Sequence, residues 1–161
     1  MLSSSADRTR IRESEIDALL VRRLQDDPAF RGKLVEAVST QTGEAFAISA
    51  VTTSAQQPHV GASGTVDVLA RFTDATGQGR LTLLIEDKIN ARFAPNQPHR
   101  YVSSATAMTL PGCPTLSVLC APGRYLASSR LALHFHVRLP LEDLASWLVG
   151  RGVQRTYETR G

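Results

Sequence analysis

The chain has 161 residues, 42% of them hydrophobic and 20% charged, with a formal net charge of +3. A length of this order fits one domain that buries roughly two-thirds of its unfolded surface, and the composition is that of a folded globular protein, not a disordered or stapled one. No apolar run approaches the roughly 20 residues a membrane-crossing helix needs, and so small a positive charge selects no polyanionic partner by itself.

The opening MLSSSADRTRIRESE has no apolar core of a secretory leader, so a cytoplasmic location is expected. Cys113 and Cys120 show no CxxC spacing, and in a reducing compartment they are expected as free thiols. Residues 13–25 set Ile16, Leu19, Leu20 and Leu24 on one stripe at helical spacing, with Ser14 as the candidate N-cap. After Asp27-Pro28, a second helix is predicted through Phe30, Leu34 and Val38, stopping near Gly43. From Ala45 the pattern changes to a strand carrying Phe46, Ile48 and Val51, followed by a loop over SAQQPHVGASG.

TVDVLARF and LTLLIEDK then read as adjacent strands joined by the glycine-containing turn TDATGQGR. Pro95 and Pro98 bracket the start of a helix through Tyr101 and Met108, because proline is tolerated in a first turn but not in a helix interior. TLSVLCAP has the unbroken apolar character of a strand covered on both faces, and LALHFHVRL alternates like another strand. A last helix, LEDLASWLVG, aligns Leu141, Leu144, Trp147 and Leu148 and ends at Gly150. The sum is one α/β domain over 1–161, a mixed central sheet flanked by helices in the order ααβββαββα, with the tail RGVQRTYETRG suggesting a piece of a longer protein.

Alternate residues of a strand point to opposite faces. In LTLLIEDK that puts Glu86 and Lys88 on one face and Asp87, read as a surface acid, on the other. In TVDVLAR, Val66, Val68 and Ala70 form the apolar set and Asp67 points away from them. Neighbouring strands would therefore bring Asp67, Glu86 and Lys88 to one end of the sheet. Two carboxylates and an ammonium on a covered face are costly unless paired, ligated or functional. Magnesium supplies a reason, since it prefers hard oxygen ligands and completes its shell with water and phosphate oxygens. Lys88 is one of only two lysines, with Lys33, among 18 basic residues.

With Asp67 in GTVDVLARF and Glu86 and Lys88 in LLIEDKI, the sequence resembles the PD-(D/E)XK nuclease superfamily, which has the restriction-endonuclease-like fold. Gly64 precedes the acid-bearing strand, and Gln97 and Tyr101 in NQPHRY match a Q-x3-Y motif of the RecB-like branches. Glu15 matches an acid that many members carry on the first helix, although Glu13 could take its place. The run IEDKINARFAPNQPHRYV is similar to a bacterial subgroup of these nucleases, and the likeness extends over about residues 13 to 126. The proline that nominally precedes the first acid is here Val66.

The resemblance implies a nuclease that hydrolyses phosphodiester bonds of nucleic acid, DNA ahead of RNA, with Mg2+ or Mn2+ held by Asp67 and Glu86. Lys88 would act in catalysis, with Gln97, Tyr101 and Glu15 in support. A bacterial defence or DNA-processing system would be a natural setting, with a homodimer or a partner domain in a longer chain both open. The rival reading is a nucleic-acid- or protein-binding module on the same fold that does not hydrolyse. Arg92 and Arg100 are candidates for phosphate contacts. Gln97 and Tyr101, one helical turn apart, are open to ordinary packing instead, and His59, His99, His134 and His136 show no metal-ligand spacing.

Overall fold

The computed structural model describes residues 12–61, 63–90, 92–94 and 96–148. Two helices lead, α1 (Glu13–Asp26) and α2 (Pro28–Thr42). They are separated by a single residue, Asp27, whose carboxylate caps α2 by accepting from the Phe30 N–H at 3.1 Å. Gly43 ends α2 in the left-handed region at φ 74°, where a side chain would be strained. The N-cap of α1 is Arg12 rather than Ser14, and Glu15 accepts a 3.4 Å bond from the Arg12 N–H.

Three antiparallel strands follow: β1 (Ala50–Pro58), β2 (Thr65–Thr73) and β3 (Gly79–Asp87). The β2–β3 turn is organised by Asp74, which accepts from the N–H groups of Thr76 and Gln78 and pairs with Arg80 at 2.7 Å. Helix α3 (Gln97–Met108) crosses to β4 (Thr115–Ala121), which pairs in parallel with β3. A short helix α4 (Gly123–Ser128) and a 3-10 segment (Arg130–His134) lead to β5 (Val137–Pro140), parallel to β4; residues 141–148 are helical. The architecture is the expected α/β one, a mixed five-stranded sheet in the order β1-β2-β3-β4-β5 flanked by helices.

Two strand expectations need correction. Residues 45–49 lie outside any strand, and β1 instead runs through the polar SAQQP, because pairing with β2 satisfies its backbone whatever its side chains prefer. LALHFHVRL is a strand only from Val137, so His134 and His136 do not share a strand face. Helix α4 was unforeseen. Pro95, Gly150 and the tail after it lie outside the described residues.

β3 is the central strand, and from Leu81 to Asp87 every residue is buried. Its Leu81, Leu83 and Ile85 join Val68, Ala70, Phe72 and Cys120 against Ile16, Leu20 and Leu24 of α1 and Phe30, Leu34 and Val38 of α2. On the opposite face, Leu84 packs with Leu119, Ala121, Phe135 and, from α3, Tyr101 and Ala105. Burial of each such Leu, Ile or Phe contributes about 1.5–3 kcal/mol. Cys113 and Cys120 are both buried free thiols, and no helix among the described residues is long and apolar enough to cross a membrane.

Candidate active site

The β2–β3 register runs from Thr73↔Gly79 to Val68↔Ile85 and stops there, although β2 stays paired with β1 as far as Thr65. Polar side chains take over from the ladder where it ends. The Asp67 N–H donates to the Tyr101 hydroxyl at 3.0 Å, and the Asp87 N–H donates to Oδ2 of Asp67 at 3.0 Å. Asp67 thus occupies the fork between two diverging strands, half-buried, with the end of β3 beside it.

On the α3 side of the fork lies Glu86, only 2% exposed. Tyr101 donates to its Oε2 at 2.5 Å, Gln97 Nε2 to its Oε1 at 2.7 Å, and Lys88 Nζ stands 3.2 Å from the same Oε1. Gln97 and Tyr101 reach one carboxylate together because four helical positions return to the same face. Lys88 is itself buried and lies 5.6 Å above the ring of Phe93, so its ammonium is held between a carboxylate and an aromatic face. Burial, and next the charge of Asp67, push the Glu86 carboxyl up to about 8. Burial, followed by the charge of Glu86, pushes the Tyr101 phenol far above its usual 10, so it stays a hydrogen-bond donor.

On the α1 side lies a second group of acids. Asp87 is 0% exposed and Asp17 8%, and one carboxylate oxygen from each of Asp17, Asp67 and Asp87 lies within 4.8 Å of the other two. Burial, then the contact with Asp17, holds the Asp87 carboxyl well above the ordinary carboxylate range; burial likewise raises Asp17. Glu13, one turn before Asp17 on α1, accepts from the Ile89 N–H at 3.1 Å and so fixes the chain just beyond Lys88.

The structure therefore brings Asp67, Glu86, Lys88, Gln97 and Tyr101 together and leaves Glu15 apart. Glu15 is exposed at the start of α1, and the acids that α1 delivers are Asp17 and Glu13. Asp87 does point away from Glu86, as its parity requires, but into a buried cluster and not to the surface. A signal for Asp17 was present in the sequence: it sits three and seven positions before Leu20 and Leu24, inside the buried stripe of α1. Arg100 approaches Gly64, where an added Cβ would sit 3.5 Å from the guanidinium carbon. His59 is buried, bonded through Nδ1 to Ser104 Oγ at 2.8 Å and set edge-on against Tyr101. Arg92 is exposed.

The sequence matches no protein-family profile, and no curated protein matches it. Among solved structures it is similar to the MspJI restriction endonuclease in complex with a 27-mer oligonucleotide, at 13% identity and a TM-score of 0.33. That similarity covers 91% of this chain and 34% of the other, so the chain spans about a third of that protein's length.

A hard divalent cation fits the donor set. Both oxygens of Asp87 and Oδ1 of Asp17 are buried and meet no N–H or hydroxyl donor, the nearest donor to Asp87 being the weak Cys120 thiol. Each stranded acceptor costs about 1–3 kcal/mol, and carboxylate oxygens are the ligands that magnesium and manganese prefer.

Proposed function

We propose that this chain is a divalent-metal-dependent nuclease of the PD-(D/E)XK type that hydrolyses phosphodiester bonds. The observation that carries this reading is the convergence of Asp67 with Glu86 and Lys88 where β2 and β3 part. The PD-(D/E)XK resemblance assigns Mg2+ or Mn2+ to Asp67 and Glu86, and the acids around Asp67 suit such an ion. When bound, a divalent cation polarises a phosphoryl group and offsets charge that develops on it.

The remaining work falls to the chain's own groups. The Lys88 ammonium, restrained by Glu86 and Phe93, would orient the attacking water and face the phosphoryl oxygens as charge builds on them. Gln97 and Tyr101 would hold the Glu86 carboxylate in one orientation, and Tyr101 would also fix the Asp67 backbone. A cleft of about 500 Å3 lined by Phe93, Asn96, His99, Leu131 and His134 opens beside Lys88's aromatic partner and offers room for a nucleotide flanking the scissile bond. DNA is proposed ahead of RNA as substrate.

The test is cleavage of plasmid, circular single-stranded DNA and RNA in parallel, with Mg2+, Mn2+ or EDTA. Cutting that needs the cation and disappears in an Asp67→Ala, Lys88→Ala double variant is expected; circles separate internal from end-dependent cutting. Full activity of that double variant would remove the assignment. Nucleic-acid binding without any cleavage would favour the non-hydrolytic module.

A further inference from the structure

We infer that the divalent-cation site is built by Asp17, Asp67 and Asp87 on the α1 side of the fork, with Glu86 outside it. This deepens the nuclease reading, on which its catalytic meaning rests, but it assigns the cation to a different ligand set, and cation binding is measurable without cutting.

The first observation is geometric. Three carboxylates carried by three different elements, α1, β2 and β3, each place an oxygen within 4.8 Å of the other two. The second is independent of that grouping. Asp87, at the buried end of the central strand, has no exposure, and neither of its oxygens is met by an N–H or hydroxyl donor; beside it stands the weakly donating Cys120 thiol. Its carboxylate faces that of Asp17, whose Oδ1 is also buried without a donor. Two carboxylates in contact need a positive charge between them, either a proton or a metal ion. Asp67, whose carboxylate closes the group, makes a metal ion the better match, since three acids supply more negative charge than one shared proton offsets.

Glu86 presents the opposite case. Its carboxylate already receives Tyr101, Gln97 and Lys88. A cation there would share Oε1 with the Lys88 ammonium and the Gln97 amide, or take the one acceptor site that the Tyr101 hydroxyl leaves on Oε2. No N–H or hydroxyl donor has to leave Asp87 or Oδ1 of Asp17 for a cation to bind, and the Cys120 thiol beside Asp87 is only a weak donor. Asp67 would lie between the two groups and couple them: a ligand on one side, and on the other the neighbour of the carboxylate that holds Lys88.

The probe is Mn2+, titrated by calorimetry and by electron paramagnetic resonance into the full chain and its Asp17→Asn, Asp87→Asn and Glu86→Gln variants. Asp17→Asn and Asp87→Asn are each expected to weaken Mn2+ binding by about tenfold or more, the scale on which loss of groups at a metal site acts. Glu86→Gln is expected to leave the affinity close to that of the unaltered protein. Loss of binding in Glu86→Gln with full affinity in both Asn variants overturns the assignment, as does the absence of saturable Mn2+ binding to the unaltered chain, which would assign the Asp17–Asp87 contact to a shared proton. Should an Asn variant fail to fold, the Mn2+-dependent rise in Tm decides between the sets: a rise preserved in Glu86→Gln supports the trio, and a rise abolished there overturns it. Parallel cleavage of plasmid, circular single-stranded DNA and RNA separates the two claims. Mn2+ held by the trio without cutting sinks the nuclease reading alone, and cutting with Mn2+ affinity indifferent to both Asn substitutions sinks this inference alone.

Discussion

Replacing Tyr101 with Phe removes one oxygen and leaves the packing intact, which isolates what that oxygen contributes. The ring keeps its contacts with His59 and Phe135, whose ring centroids lie 4.8 and 5.5 Å away. What disappears is the 2.5 Å bond to Oε2 of Glu86 and the acceptor for the Asp67 N–H at 3.0 Å. A hydrogen bond to a charged group contributes about 1.5–3 kcal/mol, and a buried N–H left without an acceptor costs about 1–3 kcal/mol. Partial relaxation at the fork recovers some of this, so about 3 kcal/mol of destabilisation is expected where Glu86 is ionised. Urea unfolding reads it as a lower midpoint at unchanged slope. The Tyr101 bond lowers the Glu86 pKa, so its removal pushes that pKa further up and the cost should be greater at pH 9, where Glu86 is ionised, than at pH 6. A loss below about 0.5 kcal/mol at both pH values, the range of ordinary surface substitutions, would refute the claim that Tyr101 ties Glu86 to Asp67.

Other consequences follow from the same groups. In EDTA, stability should fall as pH rises. The folded Glu86 titrates near 8 against a reference of 4.5, so the folded state carries the extra proton between those values. Its contribution is complete below about 4.5 and lost as pH passes 8, a swing on the order of 5 kcal/mol that Asp17 and Asp87 reinforce in direction. A Tm that is level or rising between pH 5 and 9 would contradict this. Lys88→Ala should fold, because Gln97 and Tyr101 still hold Glu86, yet lose about two to three orders of magnitude in cleavage rate; activity within a few-fold of the unaltered chain in a steady-state assay would exclude an electrostatic role. Asp27→Ala removes the cap that accepts the Phe30 N–H and should cost about 1 kcal/mol in denaturant unfolding, with cleavage unaffected.

What the sequence disclosed depended on whether local pattern and tertiary context agreed. The stripe of α1, the start of α2 after Asp27-Pro28 with its glycine stop, and the paired strands β2 and β3 follow local pattern, and there the structure repeats the expectation. β1 does not, because SAQQP becomes strand only by pairing with TVDVL, a partner no local window contains. LALHFHVRL alternates like a strand, yet its first half winds into a 3-10 turn that buries Ala132 and delivers Phe135 to the Tyr101 face. The α3 half of the candidate site was legible for a similar reason: Glu86 and Lys88 share a strand parity, and Gln97 and Tyr101 share a helix face, both fixed by chain geometry.

Apart from the place of Asp17 in the stripe of α1, the α1 half was not legible, because it is defined by an interruption in pairing. An acid on an uninterrupted β2 would belong to one face of the sheet and could serve only the groups on that face. With the β2–β3 ladder ending at Val68, the Asp67 side chain bonds the backbone of β3 at Asp87 while its own backbone bonds Tyr101 on the far side. Glu86 and Asp87, consecutive residues facing opposite ways, then both become neighbours of one carboxylate, as the shared influence of Asp67 on their protonation reflects. Parity alone had consigned Asp87 to an unrelated surface. The fork in the sheet makes it the buried centre of an acidic group, and Asp17, which an apolar stripe should have excluded, is the residue that α1 sets against it.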